Sequence, residues 1–109
     1  MLAVWALGQI ESPTAVAPLS AFINDGNSEV RKQVAWALGQ IEDAGAVPAL
    51  STLLREDKDT DVRQTAAWAL GQIEASSAVP ALSAALKDRS AEVRSQAAWA
   101  LGQIEQRPA

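Results

Sequence analysis

Apolar residues recur along the chain in two alternating helical patterns. The first reads AVAPLSAFIN, AVPALSTLLR and AVPALSAALK. It places Val16, Leu19, Phe22 and Ile23 at helical spacing, matched by Val47, Leu50, Leu53 and Leu54 and by Val79, Leu82, Ala85 and Leu86. Pro18, Pro48 and Pro80 fall near its start, where a missing N–H costs least. The second pattern reads SEVRKQVAWALGQIE, TDVRQTAAWALGQIE and AEVRSQAAWALGQIE, and Val30, Val34, Leu38 and Ile41 form its apolar stripe in the first copy. Asn27, Asp59 and Ser90 precede its three starts as N-caps, and Glu29, Asp61 and Glu92 follow them, where a helix dipole favours negative charge. The patterns are helices A and B of a repeated hairpin.

The string WALGQIE begins at Trp5, Trp36, Trp68 and Trp99, at intervals of 31, 32 and 31 residues. A period in this range marks a solenoid. The pattern predicts one all-α domain of seven helices: a half repeat at 1–11 holding helix B alone, then full repeats at 12–42, 43–74 and 75–109. A lone hairpin cannot bury its own apolar stripe, so stability must come from stacking each unit on the next. Neither end carries a polar capping repeat, and both are expected to offer apolar surface. Either the chain is a piece of a longer array or copies cover each other's ends.

A unit reading AVPAL…EVR…AAWALGQI, in register along essentially the whole chain, resembles the short HEAT-like repeats of the phycobilisome-lyase type. The resemblance implies a right-handed α-solenoid with A helices on the convex side and B helices lining the concave side. It also casts Arg31, Arg63 and Arg94 as buried ladder residues that bond the acidic cap of an adjacent unit. With Asn27, Asp59 and Ser90 at the caps, a complete ion-pair ladder is not expected from those positions, and the arginines read as structural staples. Such repeats usually follow the isoleucine with Gly-Asp. Here Glu11, Glu42, Glu74 and Glu105 replace that glycine, which counts against a left-handed helix end. Gly39, Gly71 and Gly102 lie inside helix B at a cost of about 1 kcal/mol each relative to alanine, and close approach of a neighbouring helix is the natural reason.

With about 100° per residue and Val34 at the origin, the apolar stripe of helix B lies within about 60° of the core, whereas Trp36 points about 200° away. Lys32, Gln33 and Gln40 share its side. The equivalent sets are Gln64, Thr65, Trp68 and Gln72, then Ser95, Gln96, Trp99 and Gln103, with Trp5 and Gln9 in the half unit. Stacked B helices about 8–10 Å apart would turn the indoles into a ladder. Four tryptophans at roughly 150–250 Å² each exceed what a monomer normally leaves unpartnered, and tryptophan is enriched at binding hot spots. These residues are the candidate protein-binding face. The competing reading is that neighbouring B helices bury the indoles as packing between repeats.

Composition narrows the chemistry. The net charge of −4 and the scattered nine Lys and Arg residues disfavour a nucleic-acid partner. No transmembrane run or signal peptide is recognisable, so a cytoplasmic protein without a membrane partner is expected. The absence of cysteine and histidine excludes disulfides, Cys/His zinc sites and Ser-His-Asp chemistry. EDKDTD at 56–61 lacks the glycine and terminal glutamate of an EF-hand loop. No metal, cofactor or catalytic residue is predicted. The expected function is a non-enzymatic scaffold that binds a protein or peptide on the B-helix face and associates with itself. The alternative, which comes from the resemblance alone, is a bilin-binding subunit of a chromophore lyase.

Overall fold

A computed structural model describes residues 12–105, and all regular structure among them is helical. The half repeat expected at 1–11, with Trp5 and Gln9, lies outside the described residues. Six helices follow: α1 (Val16–Ser20), α2 (Ser28–Ile41), α3 (Val47–Glu56), α4 (Thr60–Ile73), α5 (Val79–Ala85) and α6 (Ala91–Glu105). The odd-numbered helices are the A helices and the even-numbered ones the B helices. Each A helix is entered through a 3-10 turn, Pro13–Ala15, Ala44–Ala46 or Ser76–Ala78, and Pro48 and Pro80 occupy the first positions of α3 and α5.

B helices pack side by side in chain order, α2 on α4 and α4 on α6, while each A helix packs on the B helix of its own unit. The result is two layers, compatible with an α-solenoid. Leu19, Leu38, Leu50, Leu70 and Leu82 are fully buried between the layers. Two core expectations change. α1 ends at Ser20, and Phe22 and Ile23 continue in tight turns whose N–H groups bond three residues back, which leaves both half-buried. Leu86 is 43% exposed although its equivalent Leu54 is 2% exposed. Leu54 is covered by the next A helix, and no described unit follows Leu86.

Start signals behave largely as read. Asn27 Oδ1 accepts from the Glu29 N–H at 2.8 Å, and Asp59 Oδ1 accepts from Asp61 and Val62 at 2.8 and 3.2 Å. The Ser90 hydroxyl instead donates to the Glu92 carboxylate at 2.8 Å. Helix ends are a correction. Glu42 and Glu74 adopt the left-handed conformation, φ 59° and 58°, and their N–H groups bond Leu38 and Leu70 carbonyls at 3.3 and 3.1 Å. The chain must reverse there for the next A helix to reach its place, and that demand outweighs a penalty of about 1–2 kcal/mol for a side chain in this region.

An arginine ladder does form, from aspartates two residues before the caps. Arg31 Nε and Nη2 donate to Asp57 at 2.7 and 3.2 Å, and Arg63 Nε and Nη2 donate to Asp88 at 3.0 and 3.3 Å. The remaining Nη1 of each arginine donates to a carbonyl in its own unit, Asp25 at 2.7 Å and Asp57 at 2.8 Å. Each guanidinium thus ties its own hairpin to the following one, as a staple should. Burial on its own would raise the Asp88 carboxyl, yet the Ser90 N–H and the Arg63 guanidinium outweigh it and hold the group below its ordinary value.

The glycines settle how closely the B helices approach. A Cβ on Gly39 would lie 2.6 Å from Cζ3 of Trp68, 2.9 Å from Ala69 Cβ and 3.0 Å from its Cα. On Gly71 it would lie 2.5 Å from Cζ3 of Trp99, 2.9 Å from Ala100 Cβ and 3.0 Å from its Cα. Each glycine is a notch into which the next B helix sets the edge of an indole. Around Gly102 a Cβ meets nothing within 4 Å.

Three outcomes are expected. Replacing Gly71 with alanine destabilises the fold, because overpacking of about 1–3 kcal/mol exceeds a helix-propensity gain of about 1 kcal/mol, whereas Gly102→Ala in dilute solution keeps only the gain. Thermal unfolding distinguishes the two. Glu42→Gly raises stability by about 1 kcal/mol in urea titration, the relief of left-handed strain less the added freedom of the unfolded chain. A carboxylate depressed in the folded state contributes stability that is fully present above its unfolded value of 3.8 and is lost as pH falls through the lower folded value. The gap in melting temperature between the wild type and Asp88→Asn should therefore hold at neutral pH and narrow below about pH 4.

Candidate functional site

The face singled out in the sequence is the outer side of the B layer. Trp36 and Trp99 are 41% and 39% exposed, and Trp68 is half-buried. The indoles are partly packed and partly exposed. Although the residue leaves its helix opposite the core, the benzo edges of Trp68 and Trp99 turn onto the preceding B helix over Gly39 and Gly71. One edge of each indole is packing, and the remainder faces outward.

An open groove of about 520 Å³ runs between Trp68 and Trp99. Gln64, Ser95 and Gln96 line it with the two indoles, so five of the predicted residues converge. Ala91 and Glu92 complete the lining and were not anticipated, because they belong to the start of α6 rather than to its tryptophan face. Their signal was present in the helix-start pattern, where Glu92 follows the cap Ser90. The tight approach of α4 and α6 brings that start alongside Gln64. Lys32, Gln33, Gln40, Thr65, Gln72 and Gln103 are half-exposed and do not line this groove, and neither does the exposed Trp36. The Thr65 hydroxyl donates to the Asp61 carbonyl at 2.8 Å, an ordinary helix contact.

Electrostatically the groove has one ionic group. The Ser90 hydroxyl bond to Glu92, followed by the helix-end N–H of Glu92 itself, holds that carboxyl below its ordinary value, so it is charged at neutral pH. The other polar groups are two amides and a hydroxyl, which can donate and accept but do not titrate. Among the described residues no three Asp or Glu side chains cluster as metal ligands, and no helix is long and apolar enough to cross a membrane. The lining thus combines two flat apolar surfaces with one serine hydroxyl, two amides and one carboxylate.

A stack of helical hairpins with notched B helices and an arginine ladder defines a class of helical repeat. The family model for HEAT repeats matches residues 1–68 and 47–109, and the chain belongs to that family. It is a HEAT-like repeat protein of the phycobilisome-lyase type. Human deoxyhypusine hydroxylase in complex with glycerol is similar at a TM-score of 0.88 and 30% identity, over 96% of this chain and 37% of that one. The complex of CpcE and CpcF of phycocyanin lyase from Nostoc sp. PCC7120 is similar at 0.82 and 25% identity, over 98% and 69%. A designed armadillo repeat protein in complex with the peptide (KR)4 is similar at 0.71 and 27% identity, over 94% and 56%. No curated protein sequence matches.

Proposed function

We propose that this chain is a non-enzymatic scaffold whose B-helix face holds an extended protein or peptide segment, with the groove between Trp68 and Trp99 as the anchoring subsite. The observation that carries the reading is the convergence there of two outward-facing indoles, two glutamines, a serine and one ionised carboxylate. Indole faces attract Lys and Arg side chains, the carboxylate of Glu92 complements their charge, and the amides of Gln64 and Gln96 suit a peptide backbone. A net charge of −4 steers such a segment toward the chain and disfavours nucleic acid. The likeness to a designed armadillo protein bound to (KR)4 supports a basic peptide as the occupant. Enzymes also stand among the similar structures. With neither cysteine nor histidine, this chain offers partners a surface rather than a reaction. The scaffold is also read as self-associating.

One further observation favours a second reading. The likeness to CpcE and CpcF of phycocyanin lyase makes a tetrapyrrole a reasonable occupant of the same flat aromatic groove.

Tryptophan emission separates the two. Titration with a (Lys-Arg)4 peptide is expected to shift the emission maximum saturably, and Glu92→Lys should weaken binding by about tenfold or more, since it replaces attraction by repulsion at a partly desolvated contact. Quenching by biliverdin without any response to the peptide would favour the second reading. Silence toward the peptide at millimolar concentration would overturn the first.

A further inference from the structure

The two contacts between neighbouring B helices share one register. A Cβ on Gly39 would meet Trp68 and Ala69 at 2.6, 2.9 and 3.0 Å, and one on Gly71 would meet Trp99 and Ala100 at 2.5, 2.9 and 3.0 Å. The ladder follows suit, with Arg31 on Asp57 and Arg63 on Asp88. Whatever lies between α4 and α6 therefore has a counterpart between α2 and α4. Gln64, four residues before Trp68, and Glu92, seven before Trp99, bring an amide and a carboxylate to the Trp68–Trp99 groove. The equivalent places beside Trp36 and Trp68 are held by Lys32 and Asp61.

Lys32 is the departure from the pattern. Its ammonium offsets the carboxylate of Asp61, so the lining between Trp36 and Trp68 is neutral where that between Trp68 and Trp99 carries one negative charge. Lys32 is half-buried and Asp61 exposed, and among the described residues neither side chain forms an ion pair or a hydrogen bond. An acidic residue at the helix start recurs as Glu29, Asp61 and Glu92, whereas the lysine stands once, against Gln64 and Ser95. Lysine and glutamine are nearly equal helix formers, so propensity does not account for it. A basic side chain over Trp36 is repelled by the ammonium, and a carboxylate there finds a cation without a partner.

We propose that the partner is an extended segment of mixed charge, whose basic side chain enters the Trp68–Trp99 groove beside Glu92 and whose carboxylate bonds Lys32 beside Trp36. Neighbouring B helices stand about 8–10 Å apart and an extended chain rises about 3.3 Å per residue, so the two charges are about two or three residues apart. This rests on the reading of the Trp68–Trp99 groove as the anchor. Lys32 then fixes the register of the segment and selects against an unbroken run of basic residues.

Tryptophan emission of the full chain at about 0.15 M salt, where long-range steering is screened, is the readout. The probes are (Arg-Ser-Glu-Ser)2 and (Arg-Ser-Ser-Glu-Ser-Ser)2, which offer both chain directions, each beside a counterpart with glutamine for glutamate. At least one Glu peptide should bind about threefold or more tighter than its Gln counterpart, the scale of a partly exposed ion pair. The protein's net charge of −4 works in the opposite sense, so such a preference is local. Lys32→Gln, which installs the next repeat's residue, should erase the preference with unchanged circular dichroism and tighten binding of (Lys-Arg)4. Lys32→Glu should reverse the preference. Glu92→Lys should weaken the Glu and Gln peptides alike. Equal binding of Glu and Gln peptides, or a preference that survives Lys32→Gln, overturns the role of Lys32, while a saturable response to (Lys-Arg)4 keeps the anchoring groove. No response to any of these peptides overturns both.

Discussion

The structure depends on the absence of a side chain at one position of the B helices. Gly39 and Gly71 open their helices so that the following one lays an indole edge and the backbone of an alanine directly on them. The contact sets how near the B helices come, and that nearness lets Ala35, Ala67 and Leu70 close the space between units without larger residues. A glycine within a helix weakens it locally, and the dense contact it allows offsets that loss. Stability in such an array belongs to the interfaces between units more than to any single hairpin.

Arg31 and Arg63 act at the loop end of the same interfaces. Each is buried, bonds a carbonyl of its own unit and grips a carboxylate of the next in two places. An apolar contact tolerates sliding, whereas a two-pronged charge-assisted bond does not. The notch fixes the spacing of the helices and the arginine fixes their register. Together they hold each unit against the next at both ends of the B helix, which is why the one extra residue between Val47 and Val62, compared with Val16 to Val30 and Val79 to Val93, leaves the repeat geometry intact.

The tryptophan serves the fold and, in the proposed function, the partner as well. Had the indoles been wholly buried, the B layer would carry only amides, hydroxyls and scattered charges. Had they been wholly free, they would be mobile and costly to order on binding. Pinned by one edge over glycine, Trp99 keeps 39% of its surface exposed in a fixed orientation. A rigid, half-exposed aromatic beside a helix start is a good anchor whatever the ligand. The same architecture is similar to a hydroxylase, a lyase complex and a peptide-binding design. Function in this fold is set by the side chains each chain grafts onto the scaffold.

Period, helix count per unit, cap positions and the direction of Trp36, Trp68 and Trp99 away from their own cores were all readable from residue spacing, because helical geometry is local and repeats three times in register. The family resemblance pointed to the arginine ladder, but its true partners, Asp57 and Asp88, lie 26 and 25 residues away and two positions from the caps where they were sought. Left-handed ends at Glu42 and Glu74 ran against propensity, since the reversal of the chain between layers is a demand of packing. Glu92 entered the groove, and six of the polar residues on the predicted face stayed out of it, because membership depends on how closely two helices approach. Sequence by itself thus determined the unit and which way its side chains leave the helix. Only the tertiary structure decided which glycine receives which indole, which aspartate meets which arginine and how much of each tryptophan remains exposed, for these depend on distances between units that no single helix encodes.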